Sequence, residues 1–176
     1  MITSVFAARV WRACQLSTWL ALALLATAGA ARAEDAALAR ARGILARHPL
    51  IDGHNDLPNV IREKGQPPRD VAAYDLEART PGDTDLARLR AGGVGGQFWS
   101  VYIPSSPEVG ARGFARIQLE QIDIARRMIE RYPAGLVLAL TADDIERANA
   151  AGRIASLLGI EGGHAIENSL GALRAY

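Results

Sequence analysis

The fold is decided by residues 154–164, which read Ile-Ala-Ser-Leu-Leu-Gly-Ile-Glu-Gly-Gly-His. An apolar run of this length, bounded by a glycine pair, is typical of a strand that is covered on both faces of a parallel sheet. Residues 49–56, Pro-Leu-Ile-Asp-Gly-His-Asn-Asp, repeat the arrangement after a shorter apolar run. Sites in barrel and doubly wound α/β folds are built at the carboxyl ends of such strands. The two segments therefore predict a parallel sheet with a site at that end.

Strand and helix patterns alternate along the rest of the chain. Apolar runs predict strands over residues 50–52, 94–103, 136–140 and 154–160. Helical spacing predicts helices over residues 34–47, 114–132, 141–151 and 169–176, and a short helix that Asp83 or Thr84 caps and Gly92-Gly93 ends. The Pro and Gly residues within 57–82 predict a mostly irregular segment that serves as a lid or substrate wall. Such alternation predicts right-handed parallel crossovers, so the expected class is α/β.

Residues 1–33 have the pattern of an export signal. Arg9 and Arg12 precede an apolar run, and Ala31-Arg32-Ala33 matches the small-x-small site of signal peptidase. A membrane anchor is the rival interpretation, but the run of about 15 residues is shorter than the roughly 20 that cross a bilayer. We therefore expect cleavage after Ala33, export to the periplasm or the extracellular medium, and no stable membrane span in the mature domain, residues 34–176.

Charge and cysteine content exclude two classes of protein. The chain has a formal net charge of +1, and removal of residues 1–33 makes the remainder slightly acidic, so no basic patch points to a nucleic-acid partner. The single cysteine, Cys14, lies in the predicted signal. Disulfides therefore cannot hold the exported fold, which depends on its core or on a metal.

His54, Asp56 and Glu161 are the candidate metal ligands. Residues i and i+2 of a strand share a face, so His54 and Asp56 can point into one site. Glu161 directly follows an apolar strand, and Gly162-Gly163 lets the backbone approach a ligand closely. Imidazole nitrogen and carboxylate oxygen are the usual ligands of a hydrolytic zinc centre. The structural alternatives are a loop histidine beside a helix-capping Asp56, and Glu161 as an N-cap or salt-bridge acid.

At these residues the sequence resembles the membrane (renal) dipeptidase family of zinc metallopeptidases, called M19. The resemblance rests on residues 51–58 (Ile-Asp-Gly-His-Asn-Asp-Leu-Pro), 92–102 (Gly-Gly-Val-Gly-Gly-Gln-Phe-Trp-Ser-Val-Tyr) and 159–174 (Gly-Ile-Glu-Gly-Gly-His-Ala-Ile-Glu-Asn-Ser-Leu-Gly-Ala-Leu-Arg). The three blocks together are highly specific and span nearly all of the mature chain. A different amidohydrolase, such as a cyclic-amide hydrolase, is disfavoured because the more widespread members carry His-x-His where this chain has His54 and Asp56.

The resemblance implies the N-terminal part of a (β/α)8 TIM-like barrel with two zinc ions. His54 and Asp56 would match the ligands of one zinc, and Glu161 would match the carboxylate that bridges both. A metal-activated bridging water would attack the peptide carbonyl of a dipeptide. The family often accepts a D-residue on the C-terminal side of that substrate, and a homodimer stays open for a full-length member.

Four further residues near these motifs receive other assignments. His164 is expected in the wall of the site or behind the ligands and is kept out of the ligand set. His48 precedes a proline and is interpreted as structural. Gln97 and Trp99 share a strand face, where core packing is preferred over a role in supporting the site.

The chain is expected to be incomplete as a barrel. Residues 34–176 are well short of the roughly 250 residues of a typical complete (β/α)8 barrel. The resemblance implies two further histidine ligands, and substrate-binding His, Arg and Asp residues, on later strands, yet no histidine follows His164. A small open sheet that ends at Tyr176 is the alternative, and truncation of a larger barrel is preferred.

Two functional hypotheses follow. The first is an exported zinc-dependent dipeptidase, an enzyme by family, of which this chain is the N-terminal portion. The second is a non-catalytic or partner-dependent metal-binding fragment that lacks the second half of the active site. The reading frame downstream of Tyr176 discriminates between them, because a continuation with further strands and histidines supports the first.

Overall fold

The computed structural model describes residues 35–176. They fall into two units: residues 35–47, in which helix α1 spans residues 35–45, and His48–Tyr176, which contains the sheet. The predicted signal, residues 1–33, lies outside the described residues. Within the described part of the chain, no helix combines the length and the apolar character needed to cross a bilayer.

The second unit alternates strands with helices, as the sequence predicts. Its strands are β1 (Leu50–Asn55), β2 (Val94–Ser100), β3 (Leu136–Leu138) and β4 (Ile154–Gly159). Its helices are α2 (Leu57–Lys64), α3 (Leu86–Ala91), α4 (Pro107–Gly110), α5 (Phe114–Arg131), α6 (Ala142–Ala150) and α7 (Leu170–Ala175), with a 3₁₀ turn over Gly163–Ile166.

The four strands form one parallel sheet in the order β1-β2-β4-β3. Strand β2 is central, since it pairs with β1 on one side and with β4 on the other. Strand β4 lies between β2 and β3, although it follows both in the chain. The carboxyl ends of β1, β2 and β4 are therefore neighbours, and the segments after these strands lie side by side. The predicted α/β class with a parallel sheet is confirmed.

Alternate residues of β3 and β4 face two different hydrophobic clusters. Ile154 of β4 packs in the larger cluster, which α2, α3 and α5 cover and in which Trp99, Ile124 and Met128 are also buried. Ala155, on the opposite face, packs against Ala148 and Ile145 of α6. Continuous apolar runs in β3 and β4 follow from this arrangement, because both faces of these strands are covered by helices.

Close packing by the segment around β1 and by α6 explains the glycines at the start of β2. A Cβ atom on Gly95 would collide with Pro49 and with the side chain of Asn149, and a Cβ on Gly96 would collide with Ile51. The Asn149 amide also donates to the carbonyl oxygen of Gly95 at 3.2 Å. Helix α6 thus covers the amino-terminal part of the face of the sheet on which Ala155 lies. The carboxyl-terminal part of that face is left to the candidate site.

The prediction for residues 57–82 is wrong at its start, where α2 forms over Leu57–Lys64. Pro58 is typical of a helix breaker, but it lies in the first turn of α2, where a missing N–H costs nothing and the fixed φ favours the helix. Arg62 and Lys64 in the last turn also suit the helix dipole. Residues 71–85 are not helical, as expected.

Several predicted boundaries shift by a few residues. Strand β2 ends at Ser100 instead of Ile103, and β3 ends at Leu138 instead of Leu140. The N-cap of α3 is Asp85, not Asp83 or Thr84, and its carboxylate accepts from the Arg88 backbone at 2.8 Å. The predicted capping box of Thr141 and Asp144 is present at α6.

Candidate metal centre

His54 and Asp56 lie together at the carboxyl end of β1. His54 is the penultimate residue of β1. Asp56 follows the strand as the N-cap residue of α2, but its side chain makes no cap hydrogen bond. Because its carboxylate makes no cap bond, it is free to point toward the imidazole. The Nε2 atom of His54 stands 3.2 Å from Oδ1 of Asp56.

Glu161 reaches the same place from β4. It lies two residues beyond the end of that strand, and its Oε2 stands 3.5 Å from Nε2 of His54. One ligand atom from each of His54, Asp56 and Glu161 lies within 4.8 Å of the other two, and among the described residues this is the one such group. The structure therefore brings together all three residues that the sequence singles out.

The donor set fits a divalent metal of the zinc type. One imidazole nitrogen and two carboxylates are ligands that zinc takes in hydrolytic sites, and three protein ligands leave positions open for other groups. The three side chains are about half exposed, at 57% for His54, 54% for Asp56 and 49% for Glu161. Accessible ligands of this kind can hold an ion that must also meet a substrate.

An open cleft adjoins two of the three ligands, His54 and Glu161. It has a volume of 280 Å³ and is lined by His54, Glu161 and Ser100, together with Gly53, Phe98, Gly159 and Ile160. A Cβ on Gly53 would meet no atom within 4 Å, so the cleft is open beside this glycine. The cleft provides room beside the ligands for a small molecule.

Asn55 fixes the backbone between the two β1 ligands. Its Oδ1 accepts from the Leu57 backbone N–H at 3.0 Å, and its Nδ2 donates to Oγ1 of Thr84 at 3.0 Å. A longer contact of 3.5 Å joins the same Nδ2 to Oε1 of Gln97. This one side chain ties β1, α2 and the segment before α3 together, which the sequence alone did not reveal.

Ser100 contacts the third ligand directly. It is the last residue of β2, only 4% exposed, and its hydroxyl donates to Oε2 of Glu161 at 3.0 Å. Sequence reasoning missed Ser100, because a serine at a strand end carries no signal until the register is known. The register places it opposite Gly159, two residues before Glu161.

The other candidate residues have structural contacts. Nε2 of His164 lies 3.1 Å from the Ile103 carbonyl oxygen, and its ring packs edge-on against Phe114 with centroids 4.8 Å apart. Trp99 is fully buried in the main core, and Gln97 is fully buried beside β1, where its amide donates to the Asp52 carbonyl oxygen at 3.4 Å. His48 is exposed and belongs to no ligand group of the described chain.

Two carboxylates away from this group, Glu120 and Asp85, have lowered pKa values. Burial raises the pKa of Glu120, but the hydrogen bond from Arg62 and the charges of Arg116, Arg62 and Arg69 outweigh it and lower the pKa. Hydrogen bonding from the Arg88 backbone lowers the pKa of Asp85. Both acids hold helices in place. Asp85 caps α3, and Glu120 of α5 pairs with Arg62 of α2 at 3.2 Å.

Comparison with known proteins gives a family match over most of the chain. The model of the family described as "Membrane dipeptidase (Peptidase family M19)" matches residues 38–176. Dipeptidase ataJ of Aspergillus terreus is 45% identical over 143 residues, which cover 78% of this chain and 34% of the relative. Dipeptidase 3 of Rattus norvegicus is 43% identical over 137 residues, which cover 78% and 26%. The chain thus spans about a third or less of the length of these curated relatives.

Solved structures match the same part of the chain. A structure described as "dipeptidase AC, Metallo peptidase" of family M19 aligns with a TM-score of 0.58 and 27% identity, covering 72% of this chain and 39% of that one. A metallopeptidase from Rhodobacter sphaeroides, solved with a phosphinate mimic of the dipeptide L-Ala-D-Ala, aligns with a TM-score of 0.57 and 24% identity, covering 72% and 42%. The sheet and its helices therefore correspond to part of the fold of the solved metallopeptidases.

Proposed function

The chain belongs to the membrane dipeptidase family, peptidase family M19, and from this premise we propose that it is the N-terminal portion of an exported zinc-dependent dipeptidase. The family consists of enzymes, and the predicted fold and membership are confirmed. The observation that carries the proposal is the convergence of His54, Asp56 and Glu161 within 4.8 Å at the carboxyl ends of two parallel strands.

His54, Asp56 and Glu161 would hold the metal in this part of the site. When bound, zinc supplies a Lewis acid for the peptide carbonyl and a water of lowered pKa. Glu161 stands 3.5 Å from His54 and lines the open cleft beside it, and by resemblance to the family its carboxylate would serve two zinc ions. His54 and Asp56, on either side of Asn55 in the chain, would fix the ion on the β1 side.

A dipeptide is the proposed substrate class. The solved Rhodobacter sphaeroides relative carries a mimic of L-Ala-D-Ala. This ligand supports a substrate of dipeptide size, and we extend the proposed substrate class to dipeptides with a D-residue at the C-terminal side. The cleft of 280 Å³ beside Glu161 has room for part of such a molecule. We expect no nucleic-acid partner, and a homodimer stays a hypothesis for the full-length protein.

The test is zinc-dependent hydrolysis by the protein encoded by the complete reading frame. L-Ala-D-Ala and L-Ala-L-Ala are incubated with protein loaded with zinc and with protein treated with a chelator, and product alanine is measured. We expect hydrolysis that disappears with chelation and with Glu161→Ala, while His48→Ala retains it. Hydrolysis that survives Glu161→Ala would contradict the assignment.

The second hypothesis, a metal-binding fragment without its own catalysis, predicts a different pattern. Zinc would bind with the same dependence on His54, Asp56 and Glu161, but neither dipeptide would be cleaved unless a second chain were added. The observation that favours keeping it is that the described residues bring together three candidate ligands, whereas a two-zinc site needs further ones.

A further inference from the structure

Strand β2 supplies none of the three ligands, yet it contacts Glu161 directly and lies against the residue between the other two. On one face, Oε1 of Gln97 lies 3.5 Å from Nδ2 of Asn55, the residue between His54 and Asp56 in the chain. On the other face, the Ser100 hydroxyl donates to Glu161 at 3.0 Å. We infer that Ser100 is a positioning residue for Glu161: its hydroxyl holds the Glu161 carboxylate in the orientation that receives the metal. This inference rests on the proposed metal centre.

The contact joins a buried group to an exposed one. Ser100 is 4% exposed, and its strand is paired on the β4 side through Gly159, whose carbonyl also accepts from the Val101 backbone at 2.9 Å. Glu161, by contrast, lies beyond the end of β4 and has a side chain that is 49% exposed. A long exposed carboxylate has many rotamers, so a fixed donor at one oxygen restricts it before the metal arrives.

The direction of the contact places Ser100 in the site and not in the core. Ser100 and Glu161 both lie by the open cleft on the face that α6 covers further down. Within the described chain, Glu161 is the hydrogen-bond partner of the Ser100 hydroxyl. The oxygen that accepts from Ser100, Oε2 of Glu161, is also the one that stands 3.5 Å from Nε2 of His54, so the buried hydroxyl holds that oxygen on the His54 side.

Strand β4 offers a matched control in Ser156. This serine is also buried on a central strand, but it is paired with Gln97 in the register and so lies on the face opposite to Ser100. Its hydroxyl has no hydrogen-bond partner in the described structure. Ser156→Ala therefore removes a buried hydroxyl of the same kind without touching the ligand group.

The experiment measures zinc affinity of the full chain by competition with a chromophoric chelator. Ser100→Ala should weaken zinc binding by about 10- to 100-fold, the usual effect of losing a group that orients a ligand, and Ser156→Ala should leave it unchanged. In the double variant Ser100→Ala with Glu161→Ala, loss of Ser100 should add nothing to loss of Glu161, because the hydroxyl acts through that carboxylate.

A pair of isosteric variants covers the case in which Ser100→Ala does not fold. Ser100→Thr keeps the hydroxyl and Ser100→Val has the same shape without it, so both carry the same added volume. Tighter zinc binding by the Thr variant than by the Val variant supports the inference, and equal affinities overturn it. If Glu161→Ala does not weaken zinc binding, the metal centre itself is wrong; if only Glu161→Ala weakens it, the centre stands and the role of Ser100 falls.

Discussion

Gly162 lies directly beside the imidazole ring of His164, so that a Cβ atom at position 162 would overlap Cε1 and Nδ1 of that ring. The backbone at Gly162 has a φ of +100°, which L side chains rarely adopt. The residue next to it is the candidate ligand Glu161. The turn after β4 thus depends on a glycine for two reasons, its conformation and the close approach of His164.

Gly162→Ala should destabilise the turn and displace Glu161. The strained φ and the overlap with His164 together should lower the free energy of unfolding by about 1–3 kcal/mol. Zinc affinity should fall as well, since the ligand is the adjacent residue. Gly163→Ala is the control, because a Cβ there meets no atom within 4 Å and the φ is not in the positive range. Equal effects of the two changes in urea unfolding would refute the explanation.

Asp56→Ala should remove most zinc binding, while His48→Ala should not. Asp56 provides one of three ligands, and its loss should exceed the roughly 10- to 100-fold effect of losing a mere supporting group. Chelator competition measures the affinity, and circular dichroism checks that each variant folds. If both changes reduced zinc binding to the same extent, the cause would be general unfolding and the assignment would lose its support.

Residues 34–176 in isolation should show little or no dipeptidase activity. The described chain groups only three metal ligands, and a two-zinc site needs further ligands and groups that hold both ends of the substrate. Misplacement of the reacting groups by about 1 Å can already cost on the order of 100-fold in rate. Addition of the remaining strands, in the same chain or as a second chain, should restore hydrolysis. An isolated chain with ordinary enzyme turnover, abolished by Glu161→Ala, would disprove this.

The start of α6 should weaken in acid. Hydrogen bonds from the Leu140 and Thr141 backbone, the Thr141 hydroxyl and Arg147 lower the pKa of Asp144 far below its ordinary value of 3.8. The folded pKa lies below the unfolded one, so this acid stabilises the fold above pH 3.8 and loses that contribution as the pH falls further. The melting temperature of the wild type should therefore be higher than that of Asp144→Ala at pH 7, and the difference in melting temperature should shrink in acid.

Two matched substitutions test whether the capping box is the cause. Thr141→Ala removes the other half of the box and should cost about 1 kcal/mol at neutral pH. Asp143→Ala removes a neighbouring first-turn acid outside the box and should cost less than Thr141→Ala. A difference between wild type and Asp144→Ala that stays constant from pH 7 to pH 3 would show that the carboxylate is not the stabilising group.

Local patterns were sufficient to predict the strands, the parallel class and the grouping of His54, Asp56 and Glu161. Apolar runs in β3 and β4 are continuous because helices cover both faces, and this signal is legible without a structure. His54 and Glu161 could be paired because the carboxyl ends of parallel strands meet at the same end of a sheet. That reasoning needed only the residue that follows each apolar run.

Two kinds of feature could not be predicted: a helix start that contains a proline, and contacts that depend on neighbours across the sheet. Helix α2 was missed because Pro58 is a breaker inside a helix and a favourable residue in its first turn, and the local sequence does not distinguish the two. Ser100 needed the register against Gly159 before its contact with Glu161 could be recognised. The order β1-β2-β4-β3 is likewise set by the crossovers and not by any one segment.

The position of β4 between two earlier strands has a consequence for the folding pathway. During synthesis, β2 and β3 leave the ribosome before the strand that separates them, so a premature β2–β3 pairing would have to open before β4 could enter. Pairings such as Gln97 with Ser156 join distant parts of the chain, and such contacts form slowly. We therefore expect the nascent chain to keep two unpaired strand edges until Gly159 has emerged, and to need chaperone protection from aggregation during that interval.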